Sequence, residues 1–353
     1  MSATDIFKGE LLKHTKEHEQ EEFVSRWNAL SQKCSDNDLK IETLFSWYLN
    51  YLNPVTSKEK MEKRLVTWFK NLNKTPLEYL KGVEDFYNAY CEVLEMPDRY
   101  AHLLSYLEDN YWRVILCASI LHDYSESKIE DLKELLVKFY CQHWVAKKPK
   151  DQREQTCCNI IKALKEKESM EHIVSIVTKN LNEYSVTQDF KKNLRDDYLY
   201  EKYKKSPRNS WLKPILILVE YFMSDDPKPK RIQTNDFHVE HILPQNPDPS
   251  SQWAKDFSEE ERERYTHSLA NLTLLGGKKN TKALKQALNQ DFKEKKEIYM
   301  GKPVALDNKK TFKVMDCYDI TKNDVCRYTE WTPKSLEKRE KDLMSIIESV
   351  LTL

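Results

Sequence analysis

The sequence is poor in glycine and carries no net charge. Only five of its 353 residues are glycine, and basic and acidic residues balance at 57 each. The scarcity of glycine, together with many Lys, Glu and Leu residues, favours helix over sheet. The balanced charge argues against a protein that coats nucleic acid with its whole surface, because such proteins usually carry a basic excess. A polyanion would have to meet a local basic patch.

Signals for export and membrane insertion are also missing. The opening residues, MSATDIFKGELLKHTKEHEQ, contain no apolar segment, so we expect no signal peptide. The most apolar run, WLKPILILVEYFM, is too short and too polar to span a bilayer and predicts a core helix instead. We therefore expect a cytoplasmic protein with no membrane partner.

Eight cysteines are present, but their spacings do not form the paired C-x-x-C pattern of a zinc knuckle. Most lie in helical, apolar surroundings, which predicts reduced and buried thiols. Structural zinc would need three or four Cys or His ligands. Cys317 and Cys326 have no neighbouring pair that completes such a set, so the sequence disfavours zinc.

The first part of the chain predicts successive amphipathic helices. One example has its apolar face at Leu132, Leu135, Leu136 and Phe139. Helix ends are predicted beside the prolines at positions 54, 76, 97 and 149. We expect a helical domain over 1–225, a second unit over 226–300, and a C-terminal segment over 301–353 whose closing helix begins near Pro333 and packs on that second unit.

The second unit has a different pattern. Ser224–Ile232 is charged and contains prolines, which is typical of a linker. The predicted elements after it are a strand at 236–243, a loop with a short charged helix at 258–265, a strand at 269–275, a Gly276-Gly277 turn and a helix from about Thr281.

Three segments of this unit share a chemical pattern. HVEHILP ends a strand with His241, LANLTLL opens a strand with Asn271, and GGKKNTKAL begins a helix with Asn280. Each segment alone is common, but the three in this order form the HNH, or ββα-metal, nuclease pattern. The sequence thus predicts a mainly α protein with a small ββα-metal unit inserted near its C-terminus.

A family resemblance extends this pattern. HVEHILPQNP, Trp253, YTHSLANLTLLGGKKN, Lys295, Tyr299 and the closing Trp331 with Arg339 resemble the C-terminal nuclease domain of the GmrSD-type modification-dependent restriction family. Ala270 departs from the glycine that is more frequent there. The resemblance implies cleavage of invading, modified DNA under control of a ParB-like, nucleotide-sensing half. That half carries a D-G-Q-Q-R type motif, which this sequence lacks, as it lacks a Walker A loop. We expect a nuclease half, either a separate subunit or a fragment.

The residue types suit phosphodiester hydrolysis. Glu240 and Asn280 offer the oxygen ligands that Mg²⁺, or Mn²⁺, accepts while keeping several waters. A neutral His241 can take a proton from the attacking water. The resemblance assigns Asn271 to support of the loop near His241. Successive residues of a regular strand face opposite sides, so Glu240 and His241 can share a site only if the strand ends or bulges there.

Other residues keep two interpretations. His238 lies on the face of Glu240 and is either a further metal ligand or phosphate contact, or a partly buried polar residue. His267 is expected to pack beneath the loop. Phosphate contacts are expected from Lys278, Lys279, Lys282 and Lys285, which could instead form a solvated helix face.

Two further functions stay open. The chain could be a helical nucleic-acid-binding or regulatory subunit that does not cut, or an RNA-directed HNH nuclease. The first is compatible with the neutral charge, and the second with a site that contacts mainly phosphate.

Overall fold

The computed structural model describes residues 2–205, 210–276, 288–305, 311–314 and 318–353. Within these ranges the protein is mainly helical. The helices are α1 (Ala3–His14), α2 (Gln20–Asp36), α3 (Ile41–Leu52), α4 (Met61–Leu72), α5 (Pro76–Glu95), α6 (Arg99–Leu104), α7 (Tyr111–Leu121), α8 (Glu126–Val145), α9 (Asp151–Lys165), α10 (Met170–Glu183), α11 (Val186–Leu194), α12 (Leu199–Lys205), α13 (Leu212–Met223), α14 (Gln252–Asp256), α15 (Glu259–Tyr265), α16 (Phe292–Tyr299) and α17 (Pro333–Leu351).

Two small antiparallel sheets accompany these helices. The first pairs β1 (Phe237–His241) with β2 (Leu272–Gly276), and the second pairs β3 (Val304–Ala305) with β4 (Thr311–Phe312). None of the helices in the described ranges combines the length and apolar character that a membrane span requires.

The chain divides into two compact units. The first comprises Met1–Met96, Leu107–Leu136 and Pro149–Tyr184, and the second comprises Pro97–Tyr106, Val137–Lys148 and Ser185–Leu353. The sequence placed a boundary near residue 225, whereas the long segment of the second unit already begins at Ser185. α11 to α13 therefore pack in the same unit as the strands.

The first unit has an aromatic core. Phe7 of α1 lies edge-on to Phe45, Phe69 and Tyr79, with ring centroids 5.3 to 6.3 Å apart. Edge-to-face packing of this kind stabilises a core beyond the area that it buries. These aromatic side chains are therefore core residues.

Several predicted helix features are confirmed. Leu132, Leu135, Leu136 and Phe139 of α8 are buried. Pro76 opens α5, where its missing N–H costs nothing, and Thr75 caps that helix together with Glu78. Seven cysteines lie in the described ranges; all are free thiols, and five of them are buried. Cys317 lies outside the described residues.

The strand and helix predictions of the second unit are partly confirmed. α13, α15 and α17 match their predicted positions closely. The strand predicted at 269–275 begins later, because Leu269–Asn271 form a 3₁₀ turn. The strand predicted at 236–243 is shorter at both ends. Gly277 and the helix predicted from Thr281 lie outside the described residues, so the third element of the expected ββα unit is not among the elements described.

The proline-containing segment Ser224–Ile232 is bound along its length rather than free. Its carbonyl at Pro227 accepts from the backbone of Arg99, and that of Pro229 lies 3.0 Å from His102 Nε2. The Ile232 carbonyl accepts from the hydroxyl of Tyr106 at 2.6 Å. α6 and its following residues thus supply partners for carbonyls that have none in a helix or strand, which a composition-based linker prediction could not anticipate.

Candidate functional site

The first sheet places the histidine at the end of its strand. β1 and β2 pair in register from Phe237 with Gly276 to His241 with Leu272. The pairing is regular up to His241, so Glu240 and His241 face opposite sides of the strand. A shared site for Glu240 and His241 needs the strand either to end or to bulge. In the structure β1 ends at His241 and has no bulge.

The imidazole of His241 lies in a ring cluster. The side chain is only 6% exposed. Tyr200 of α12 meets it edge-on, with centroids 4.2 Å apart, and His267 does so at 5.4 Å. Tyr200 and His267 are nearly parallel to each other. Gln245 Nε2 lies 3.2 Å from His241 Nδ1. These contacts restrict the plane of the His241 ring.

The backbone that follows His241 is tied at five consecutive polar groups. Lys295 Nζ donates to the carbonyls of His241 and Ile242, at 2.6 and 2.8 Å. The Ile242 N–H donates to the carbonyl of Asn271. The Asn271 carboxamide accepts from the Leu243 N–H at 2.7 Å and donates to its carbonyl at 2.9 Å. Two side chains from distant segments therefore hold the strand end that carries the histidine.

Asn271 is itself held from several directions. Its Nδ2 also donates to the Thr266 carbonyl at 2.9 Å, and its Oδ1 accepts from Trp331 Nε1 at 3.2 Å. Arg339 of α17 donates to the carbonyls on either side, at Ala270 and Leu272. Asn271 is fully buried, so these bonds satisfy polar groups that water cannot reach.

Arg339 is fully buried in this arrangement and has a buried counter-charge. Its Nε lies 2.6 Å from the carboxylate of Asp324. The sequence offered a signal for this residue, because the closing Trp331 and Arg339 were part of the family resemblance. Nothing in the sequence indicated that Asp324 would be the partner.

Glu240 lies on the other face of β1 and is also buried. Its Oε1 is 3.0 Å from Lys295 Nζ, and the Tyr299 hydroxyl donates to it at 3.5 Å. Burial, and then the Glu240 charge, raises the pKa of Tyr299 well above its usual value, so this hydroxyl keeps its proton. An ion pair at this depth is stabilised only by good geometry and added hydrogen bonds, both of which Lys295 supplies.

Besides its part in the family resemblance, Lys295 has a second signal in the sequence. Lys295 lies between Phe292 and Tyr299 at helical spacing, and all three are buried on one side of α16. A lysine within an apolar helix face needs a buried acceptor. Pattern alone could not indicate that Glu240 would be this acceptor.

A hydrated divalent cation requires oxygen donors that converge on one point. Glu240 and the half-buried His238 lie on one face of β1, and Asn280, the third expected ligand, lies outside the described residues. In the described ranges no three His, Cys, Asp or Glu residues converge in a way that could hold a metal ion. One carboxylate is enough for Mg²⁺ or Mn²⁺, because such ions keep several waters, but Glu240 Oε1 already lies 3.0 Å from the Lys295 ammonium.

The charges around the ring cluster come from α12. His267 Nε2 lies 3.6 Å from Glu201. Burial lowers the pKa of His267, and the charges of Lys204 and Lys205 lower it further, against the opposite effect of Glu201. Lys204 Nζ lies 4.8 Å over the Tyr200 ring. Exposed basic groups thus border the His241 side of the strand. The lysines expected to contact phosphate, Lys278, Lys279, Lys282 and Lys285, lie outside the described residues.

Comparison with known proteins identifies the class of this domain. Residues 184–346 match the family model of the C-terminal domain of GmrSD restriction endonucleases. The match is consistent with a GmrSD-type C-terminal domain in this part of the chain, confirms the resemblance seen in the sequence, and supports a function related to restriction endonucleases. The match begins within a residue of Ser185, where the long segment of the second unit starts, and contains every site residue described above. No curated protein matches the chain.

Proposed function

We propose that this protein is a metal-dependent DNA endonuclease of the HNH type that acts in restriction of foreign or modified DNA. The observation that carries the proposal is the arrangement at the end of β1, inside the matched domain. An imidazole is held there by Tyr200 and Gln245, and its backbone is tied by Lys295 and Asn271. A rigidly held base next to a bound phosphate is what general-base hydrolysis requires.

His241 is the proposed general base, which takes a proton from the water that attacks phosphorus. Asn271 holds the chain that follows it. Glu240, His238 and Asn280 are the proposed ligands of a divalent cation, Mg²⁺ or Mn²⁺. When bound, such a cation supplies charge stabilisation for the phosphate and the leaving oxygen. Lys278, Lys279, Lys282 and Lys285 are the proposed phosphate contacts.

The proposed partners are DNA and a ParB-like, nucleotide-sensing protein or domain. The match reaches the C-terminal domain of the GmrSD family only, so control by such a partner belongs to the proposal. Residues 1–183 lie outside the match and are mainly helical, and they are the proposed location of the surface that binds this partner.

A plasmid-nicking assay tests the proposal. Wild-type protein is expected to nick or cut supercoiled DNA with Mg²⁺ and to stop when EDTA is added. His241→Ala is expected to lower the rate at least about a hundredfold, the usual range for loss of a general base. His172→Ala is the matched control, because His172 is exposed on α10 and lies outside the matched domain.

Thermal unfolding of each variant shows that it is folded. If His241→Ala keeps wild-type activity, His241 is not the general base. Binding without cutting would make the protein a nucleic-acid-binding subunit, and cleavage of RNA alone would make it an RNA-directed nuclease. Either result would replace the proposal.

A further inference from the structure

Lys295 occupies a costly position for a charged residue. It is fully buried on α16, whose Phe292 and Tyr299 belong to the apolar core of this region. An ammonium group removed from water is strongly destabilising unless acceptors replace the lost hydration. The residue is therefore held there by what it contacts.

Three acceptors of Lys295 belong to consecutive residues. Its Nζ lies 3.0 Å from the Glu240 carboxylate, 2.6 Å from the His241 carbonyl and 2.8 Å from the Ile242 carbonyl. An ammonium has three N–H donors, which matches three oxygens. His241 stands at the centre of this set, although its ring lies on the opposite face of β1.

The contacts constrain the backbone of His241. A carbonyl that accepts a short hydrogen bond fixes the plane of its peptide unit. The planes after His241 and after Ile242 are both tied to one ammonium, and Leu243 is tied to Asn271. The direction of the His241 Cα–Cβ bond is set by this backbone, so a shift at Lys295 is transmitted to the imidazole.

We propose that Lys295 is a positioning residue for His241. It acts through the strand backbone and does not touch the reacting groups. The competing interpretation is that Lys295 only neutralises Glu240. The part of the proposal that concerns reaction rate rests on the proposed function, whereas the part that concerns the orientation of His241 does not.

Two matched variants separate these interpretations by NMR. In Glu240→Gln the ammonium loses its carboxylate partner but keeps both carbonyls. The double variant Glu240→Gln, Lys295→Met also loses the carbonyl contacts, and it folds without a lone buried charge. Both variants lack the Glu240 carboxylate, so their difference isolates Lys295.

The measurement is the NMR signal of the His241 ring in protein with ¹³C-labelled histidine. The signal is assigned to His241 because it is missing in His241→Ala. We expect this signal to stay near its wild-type position in Glu240→Gln and to move or split in the double variant. Lys296→Met is the control, because Lys296 is the next residue of α16 and donates to the Tyr328 carbonyl, away from β1. An unchanged His241 signal in the double variant would overturn the proposal.

A kinetic comparison adds a second readout. If it folds, Lys295→Met is expected to lower kcat about a hundredfold with KM little changed. Displacement of a catalytic group by about 1 Å has an effect of this size. Lys296→Met is expected to keep wild-type kcat. If wild-type protein cleaves and folded Lys295→Met does so equally well, the positioning role is wrong. If wild-type protein does not cleave, the proposed function fails, and the NMR comparison still decides the role of Lys295.

Discussion

The carboxamide of Asn271 binds both backbone groups of Leu243, accepting at 2.7 Å and donating at 2.9 Å. This pair closes the loop between β1 and β2 at the point where the chain leaves the strand. A carboxamide that accepts from the N–H and donates to the carbonyl of one residue imitates the pair of backbone hydrogen bonds between two strands. It holds the two ends of the loop together without extending either strand.

Asn271→Ala is therefore expected to lower the free energy of unfolding by about 3 to 5 kcal/mol. The substitution leaves four buried groups without this partner: the Leu243 N–H, the carbonyls of Leu243 and Thr266, and the Trp331 indole N–H. Each such group costs about 1 to 3 kcal/mol, and relaxation of the surroundings keeps the total near the lower end of the sum. Chemical denaturation measures the change. Asn182→Ala, at an exposed position of α10, is the control and is expected to stay within about 0.5 kcal/mol of wild type. A loss below about 1 kcal/mol in Asn271→Ala would mean that water replaces the carboxamide.

Tyr200 provides a test of ring packing at the site. Its edge-on contact with His241 is expected to be worth about 1 kcal/mol, the usual value of an aromatic pair. If that contact aligns the imidazole, Tyr200→Leu lowers kcat up to about tenfold. Tyr200→Phe keeps the ring and is expected to cleave like wild type. The two variants are compared in the nicking assay, and equal loss in both would assign the effect to the hydroxyl instead.

His267 contributes to the pH dependence of the free energy of unfolding. Burial depresses its pKa below the ordinary value of 6.5, so the unfolded chain binds a proton more readily than the folded one. Its contribution to stability is present above that value and is lost as the pH falls towards the folded pKa. His267→Gln is expected to reduce the fall in Tm between about pH 7.5 and about pH 5.5.

Scanning calorimetry across this range measures the effect. His102 and His122 also have pKa values lowered by burial, so some fall in Tm remains in the variant. A pH dependence identical to that of wild type would show that His267 is solvated in the folded protein.

The local part of this fold could be predicted from the sequence. The apolar segments that contain His241 and Asn271 predicted two strands, and the charged segment at 258–265 predicted the short helix α15. These signals lie within a few residues of one another. Because propensity and capping are local effects, a sequence shows them without knowledge of the packing.

The support of the site could not be predicted in the same way. Lys295 reaches Glu240 across 55 residues of sequence, and Tyr200 reaches His241 from a helix without any motif. Arg339 also helps to explain why the strand predicted at 269–275 starts late, since it binds the carbonyl of Ala270 within the 3₁₀ turn and that of Leu272 just after it. Contacts of this kind depend on tertiary packing, which overrides local preference.

The position of Arg339 in the chain has a consequence for synthesis. A ribosome makes His241 and Asn271 well before it makes α17, and Arg339 is 69 residues beyond Ala270. The contacts of Arg339 on either side of Asn271 can therefore form only after the other residues of the site have been made. A nascent or prematurely terminated product carries the histidine but lacks the guanidinium that steadies its support. Any activity that depends on this support therefore begins only after Arg339 has been made, because Arg339 follows His241 and Asn271 in the chain.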